Sequence, residues 1–189
     1  MSDDSAHPRA VVVDDEKEVA DAYTLRLMDD YDVQTAYSGE AALGVIDDQT
    51  HVVLLDRNMP GVSGDEVLRE IKARELSCRV IMVTAIDPSF GILDMPFDDY
   101  LCKPLDRETV LAAVRQQVEL LAYERLSEYF QVDAKRALLA SEKSTAALEA
   151  AEEYEQIEAR AEALRAELDR LLDDFDAVAS QFEAIERER

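Results

Sequence analysis

The stretch HVVLLDRNMPGVSG, residues 51–64, drives four apolar residues, Val52 to Leu55, straight into Asp56. Met59, Pro60 and two glycines follow. A short continuous apolar run closed by Pro and Gly reads as a buried strand that ends in a loop. The polar residue at that junction is a single carboxylate, Asp56.

Working outward, the first ~125 residues alternate strand and helix signals, the pattern of an α/β layer fold. RAVVVDDE (9–16) is a short buried strand ending in acids, and residues 17–30 place Val19, Ala22, Tyr23, Leu25 and Met28 at helical spacing. YDVQTA (31–36) is strand-like, and Ser38-Gly39 opens a helix over 39–48. After the Pro-Gly loop, Val67, Leu68, Ile71 and Leu76 mark a third helix. RVIMVTA (79–85) and DDYLC (98–102) supply strands four and five. Pro104 stands where a last helix can begin, with Val110, Leu111, Val114 and Val118 on its inner face. The spacing predicts (βα)₅ with one weak link. Between strands four and five, IDPSFGILDMPF (86–97) holds two prolines and a glycine, so the fourth helix should be short or irregular.

Past Pro104 there is no proline or glycine, and the chain turns to Ala, Glu, Leu and Arg, which favours helix. Breaks are expected near 131–133 and at 141–145, where Ser and Thr can cap. From Ala147 through Ala150, Tyr154, Ile157, Ala161, Leu164, Leu168, Leu171, Phe175, Val178 and Phe182 to Ile185, apolar residues recur at alternating spacings of 3 and 4. This pattern predicts a coiled coil or a long helical hairpin. In a parallel in-register dimer, Glu153 would face Glu158 and Arg160 would face Arg165, two like-charge pairs. Antiparallel or intramolecular packing fits better.

Composition narrows the function classes. The net charge is −23, from 43 acids against 20 bases, so a general nucleic-acid surface is disfavoured. The acids are spread along the whole chain and lysine is scarce, which suggests adaptation to high salt. No apolar stretch is long enough to span a membrane, and the acidic N-terminus is the reverse of a secretory signal. Cys78 and Cys102 make no disulfide framework; both are expected reduced, in a cytoplasmic protein.

In a parallel sheet every strand delivers its C-terminal end to the same edge, where ligands bind. Strand one ends in Asp14-Asp15, strand three in Asp56, strand four in Thr84, and strand five just before Lys103. Close carboxylates repel, and a divalent cation relieves that. Hard oxygen ligands with several waters retained describe a Mg²⁺ site. Lys103 and Thr84 are then donors with no obvious native acceptor of sufficient charge. A phosphoryl group on one of the aspartates would supply one.

These residues resemble the receiver domain of two-component response regulators. VVVDDE resembles its acidic pair, LLDRNMPGVSG its Asp-x-x-Met-Pro-x-x-x-Gly loop, VTA its Thr-Ala step, and DDYLCKP its aromatic-x-x-Lys-Pro. The resemblance implies a doubly wound, flavodoxin-like parallel sheet of order 2-1-3-4-5, and a receiver over 8–125 behind a disordered N-terminus, 1–7. It implies Asp56 as the phosphoacceptor for a sensor histidine kinase. Mg²⁺ would be held by Asp15, Asp56 and the backbone carbonyl of Asn58, with Asp14 acting mainly through water. Thr84 and Lys103 would bind the phosphoryl oxygens, Tyr100 would be the aromatic that turns inward with Thr84, and Lys103–Pro104 would be cis. Such a protein is a phosphoacceptor switch that at most catalyses its own phosphorylation and dephosphorylation. Ile86, two residues after Thr84, would place an apolar group near the phosphate.

The segment 126–189 resembles the HalX-type helical extension found behind receivers in haloarchaea, in keeping with the acidity. The expected output is contact with a downstream protein through this extension, with a homodimer left open. The alternative is a transcription regulator that contacts DNA through the same segment. Arg160, Arg165 and Arg170 are interleaved with acids and form no basic stripe, which weighs against it. An aspartyl-phosphate phosphatase would need a second carboxylate two residues after Asp56, where Asn58 stands. His7 and His51 are single, with no metal-ligand spacing, and there is no P-loop.

Overall fold

A computed structural model describes residues 7–85, 90–172 and 174–180. Two compact units divide the chain, Met1–Leu121 and Ala122–Arg189.

The first unit is built on five strands: β1 (Arg9–Val13), β2 (Asp32–Ala36), β3 (Val52–Asp56), β4 (Arg79–Thr84) and β5 (Asp99–Cys102). All pair in parallel, in the order β2-β1-β3-β4-β5. The central strand β3 is buried along its whole length, as its unbroken apolar run requires. Helices α1 (Lys17–Leu27), α2 (Gly39–Val45) and α3 (Gly64–Ala73) connect the first four strands. The expected fourth helix reduces to a three-residue 3₁₀ turn, Phe90–Ile92, among the described residues. Ile86 lies outside the described residues, as do residues 1–6.

Helix α3 begins where the sequence places a capping box. Ser63 and Glu66 exchange side-chain-to-backbone hydrogen bonds across the first turn, satisfying two otherwise orphan donors. One core cluster joins Val11, Val13, Val53, Leu55, Val80 and Met82 from the sheet to Val67, Leu68 and Ile71 of α3. Met59 belongs to it too, which anchors the loop after Asp56.

Helix α4 runs from Arg107 to Glu142, so the expected break near 131–133 does not occur. With no Pro or Gly there to break it, the helix on either side carries through the weak formers Val132 and Asp133. The break at 141–145 does occur, and two helices follow, α5 (Thr145–Glu149) and α6 (Glu152–Leu171).

In the second unit, the part of α4 after Leu121 packs antiparallel on α6. Arg125 bonds Glu167 at 2.7 Å, and Arg160 reaches back to Glu128. Leu126, Leu168 and Phe175 form a buried core, with Tyr129 edge-on to Phe175 at 5.2 Å between ring centroids. The heptad residues Ala161, Leu164, Leu168, Leu171 and Phe175 are buried. Ala147 and Ala150 are exposed, ahead of the α6 stretch that packs on α4. The even heptad is not one helix: the chain leaves helical geometry at Ala150–Ala151 and again at Leu172, and residues 175–180 are helical once more. Phe182 and Ile185 lie outside the described residues. The intramolecular antiparallel pairing agrees with the charge argument against a parallel dimer.

Candidate functional site

The site is assembled by strand ends. Asp56 is the last residue of β3, the middle strand, with β1 on one side and β4 on the other. Asp14 follows β1 directly, and its backbone N–H donates to the Ala36 carbonyl at 3.2 Å. Thr84 closes β4. Lys103 follows β5, and its N–H donates to the Thr84 carbonyl at 2.7 Å. The Lys103–Pro104 peptide is cis, as the resemblance implied.

Two carboxylates share one ammonium. Lys103 Nζ lies 2.7 Å from Asp14 Oδ2 and 2.9 Å from Asp56 Oδ1. The second oxygen of each carboxylate accepts a backbone N–H: Glu16 on Asp14 Oδ1 at 3.0 Å, Asn58 on Asp56 Oδ2 at 2.9 Å. This corrects the expectation that Lys103 lacks a native acceptor. Asp14 and Asp56 are 1% and 6% exposed, and at such burial a lysine left unpaired would be far costlier than one drawn into the gap. Thr84, fully buried, accepts a hydrogen bond from Asn58 Nδ2 at 3.2 Å.

Burial raises the pKa of Asp14, and the hydrogen bonds from Lys103 and the Glu16 backbone only partly offset this. For Lys103, burial works against the charge, but the hydrogen bonds to Asp14 and Asp56 outweigh it and hold the ammonium well above its ordinary value. The ammonium is therefore a permanent cation of the site across the physiological range.

The structure thus brings together Asp14, Asp56, Thr84, Lys103 and Asn58. Asp15 is exposed, and among the described residues no group of three or more acidic, His or Cys side chains stands ready to hold a metal ion. The donor chemistry still fits Mg²⁺. Two buried carboxylates and a neighbouring carbonyl are hard oxygen donors, and Mg²⁺ keeps several waters rather than demanding an all-protein cage. Tyr100 lies on β5 with its ring partly buried, 5.5 Å from that of Phe97.

Two features escaped sequence reasoning. Arg57 forks onto Asp65, Nε to Oδ1 at 3.0 Å and Nη2 to Oδ2 at 3.2 Å. The Asn58 side chain holds Thr84. The partners stand eight and 26 residues apart, spacings that carry no periodic signal, so neither contact could be read from pattern alone. Gly64, by contrast, was visible as the closing residue of the motif, and its reason is steric. A Cβ there would lie 2.2 Å from the Asp56 carbonyl oxygen and 2.8 Å from Arg57 Cα, so α3 can approach the loop after Asp56 only with glycine. Gly61 takes φ +74°, the left-handed conformation its turn needs.

Comparison with known proteins agrees with this geometry. The response regulator receiver domain model matches residues 10–115, and the HalX domain model matches residues 119–185. A Haloferax volcanii protein, named as a candidate transcriptional regulator, is 41% identical over 165 residues. That alignment takes in 86% of this chain but only 28% of the relative, so the chain spans little more than a quarter of that protein's length. Among solved structures, the BeF3-activated receiver domain of DrrB, a Thermotoga maritima protein, is 32% identical with a TM-score of 0.56, over 60% of this chain and 98% of that one. TrrA of Thermotoga maritima, in complex with Mg(2+)-BeF, is 30% identical with a TM-score of 0.52, over 58% of this chain and 98% of that one. The chain therefore belongs to the receiver family of two-component response regulators, and it carries a HalX domain behind its receiver.

Proposed function

We propose that Asp56 accepts a phosphoryl group from a sensor histidine kinase. A carboxylate oxygen of Asp56 attacks phosphorus, the bond from phosphorus to the kinase imidazole nitrogen breaks, and the imidazole leaves with the electron pair. The product is an acyl phosphate, later cleaved by water. The observation that carries this reading is the half-buried ammonium of Lys103, shared at 2.7 and 2.9 Å by Asp14 and the mid-sheet Asp56. A phosphoryl group on Asp56 would add negative charge beside a cation already fixed there. The Thr84 hydroxyl, one residue beyond the register partner of Asp56, would add a hydrogen bond.

Phosphoryl transfer depends on charge neutralisation and positioning more than on a strong base. Asp14, Asp15, Asp56 and the Asn58 carbonyl would hold Mg²⁺, whose chemistry there is neutralisation of phosphoryl charge. The chain's own share is to fix the Asp56 carboxylate through the Asn58 N–H and to keep Lys103 protonated. This makes the protein a switch rather than a turnover enzyme. With Mg²⁺ and a small acyl-phosphate donor, intact mass spectrometry should show one phosphoryl group on the wild type and none on Asp56→Asn. Equal incorporation in the variant would remove Asp56 from the role.

For output, we favour contact between the HalX segment and a downstream protein. The DNA-contacting alternative draws support from the name of the Haloferax volcanii relative. Against it, four arginines of the second unit are spent internally: Arg125 on Glu167, Arg136 on Asp133, Arg160 on Glu128 and Arg165 on Asp176. Paired guanidinium groups on a strongly acidic chain leave little to bind phosphates. Salt-dependent retention of random duplex DNA by the full chain would reverse this preference.

A further inference from the structure

We propose that the notch between α5 and α6 docks a basic amphipathic helix of a partner protein. An apolar side chain of that helix enters the notch, and its lysines or arginines meet the rim. The proposal rests on the protein-contact output favoured above, to which it adds the surface used and the chemistry of the partner.

The notch follows from the way the chain joins the two helices. Only Ala150 and Ala151 separate α5 from α6, and Ala151 is extended, so the second helix starts in a new direction. Two methyl side chains cannot fill the angle that opens there. The result is a cavity of about 440 Å³, lined by Leu148 and Glu149 of α5 and by Tyr154, Glu155 and Glu158 of α6. Leu148 and Tyr154 are only half-buried, so apolar area at its floor stays in contact with water. Leu138, 63% exposed, and Leu139 add apolar surface in the last turns of α4, just before this stretch of the chain. Exposed apolar surface beside polar residues is a mark of a contact site.

Electrostatics select the occupant. Between residues 141 and 158 the chain holds six glutamates and one base, Lys143. The arginine pairs of the unit take up other acids, Glu128, Asp133, Glu167 and Asp176. Among the described residues, Glu149, Glu155 and Glu158 enter no ion pair. Carboxylates without a counter-charge repel nucleic acid, an anionic lipid surface and a second copy of this acidic chain. Nor does the rim hold a metal ion, since no group of three or more acidic, His or Cys side chains is placed for one among the described residues. An apolar floor edged by acids fits an apolar residue flanked by Lys or Arg, and the Tyr154 ring offers its face to a guanidinium. The second unit has no strand among the described residues, so a partner cannot dock there by adding one to a sheet. A helix laid into a groove suits a notch between two helices.

The test is fluorescence anisotropy with the full chain and a labelled synthetic helix of leucine and lysine. In about 1 M KCl the screening length is about 3 Å, so charges in contact contribute and the distant net charge does not. The same peptide with glutamate in place of lysine should not bind. Glu149→Gln, Glu155→Gln and Glu158→Gln together should weaken the lysine peptide about tenfold, the combined effect of three modest contact pairs. Leu148→Ala should weaken it in the same direction through lost apolar contact. The glutamate triple removes no buried atom, which keeps the test independent of how α5 folds in the leucine variant. Glu18→Gln, Glu40→Gln and Glu108→Gln make the same charge change at exposed receiver positions and should shift affinity by less than about twofold. An equal loss in both triple variants overturns the proposal, as does binding of the glutamate peptide or no binding of the lysine peptide to the wild type. Each of these leaves the protein-contact output standing on another surface. Retention of random duplex DNA by the full chain would overturn that output and this proposal together.

Discussion

At the scale of single residues, Asp14 shows how the site trades stability for chemistry. Its carboxylate is almost fully buried, and burial raises its pKa above the ordinary 3.8. A raised carboxylate pKa means that the charged form is penalised in the folded state. That penalty is fully present at neutral pH and fades as pH falls through the folded value towards 3.8. Asp14→Asn should therefore stabilise the fold at pH 7 by about 1 kcal/mol, the usual size of a stabilising change at a functional site. Lys103 keeps Asp56 as a partner in that variant. The advantage should shrink on acidification, and urea unfolding at pH 7 and at pH 4 would show it; destabilisation at pH 7 would contradict this account. Lys103 shares that direction, at the alkaline end of the pH scale. Its raised pKa stabilises the fold at every pH below the ordinary lysine value of 10.5, and that contribution is lost as pH climbs through the folded value.

At the scale of elements, the strands were legible because each is an apolar run ending in a polar residue. β3 is the clearest, with Val52–Leu55 predicting a buried strand and Asp56 closing it. The capping box at Ser63 and Glu66 was equally readable in principle, since Ser-x-x-Glu precedes the apolar positions of α3. The breaks in the C-terminal helices were harder. The helix leaves its geometry at Ala150–Ala151, yet alanine is the strongest helix former, so no propensity signal marks that point. The 131–133 segment carries a β-branched valine and an aspartate but stays helical within α4. Propensity is a weak prior that surrounding helix overrides. What the heptad did indicate was the buried stripe. Leu168 lies in it, fully buried against Leu126 and Phe175. Leu168→Ala should lower the stability of the second unit by about 3 kcal/mol, within the range for a buried leucine. Chemical denaturation of the full chain followed by helix circular dichroism measures this, and an unchanged transition would show that the residue lies in no core.

At the scale of the whole molecule, the uniform acidity sets the solution behaviour. A net charge of −23 repels itself in the compact state, and added salt screens that repulsion. The melting temperature should therefore rise steadily from low to molar NaCl; a flat or falling profile would contradict adaptation to high salt. Among the described residues no helix is long and apolar enough to cross a membrane. The two cysteines are free, Cys78 buried and Cys102 exposed. What the sequence could not convey was the internal pairing of its charges. The Lys103 bridge spans 89 residues, and Arg125 reaches Glu167 across 42. Such contacts depend on tertiary placement and leave no local pattern.

The central claim is that Asp56, rather than either aspartate after β1, carries the phosphoryl group. The direct measurement is borohydride trapping. Reduction of an aspartyl acyl phosphate releases phosphate and leaves homoserine, which peptide mapping assigns to a single position. After treatment with Mg²⁺ and an acyl-phosphate donor, the account predicts homoserine at residue 56, with Asp14 and Asp15 unmodified. Homoserine at either of those two positions, or at neither site under conditions where the protein takes up phosphate, would contradict it.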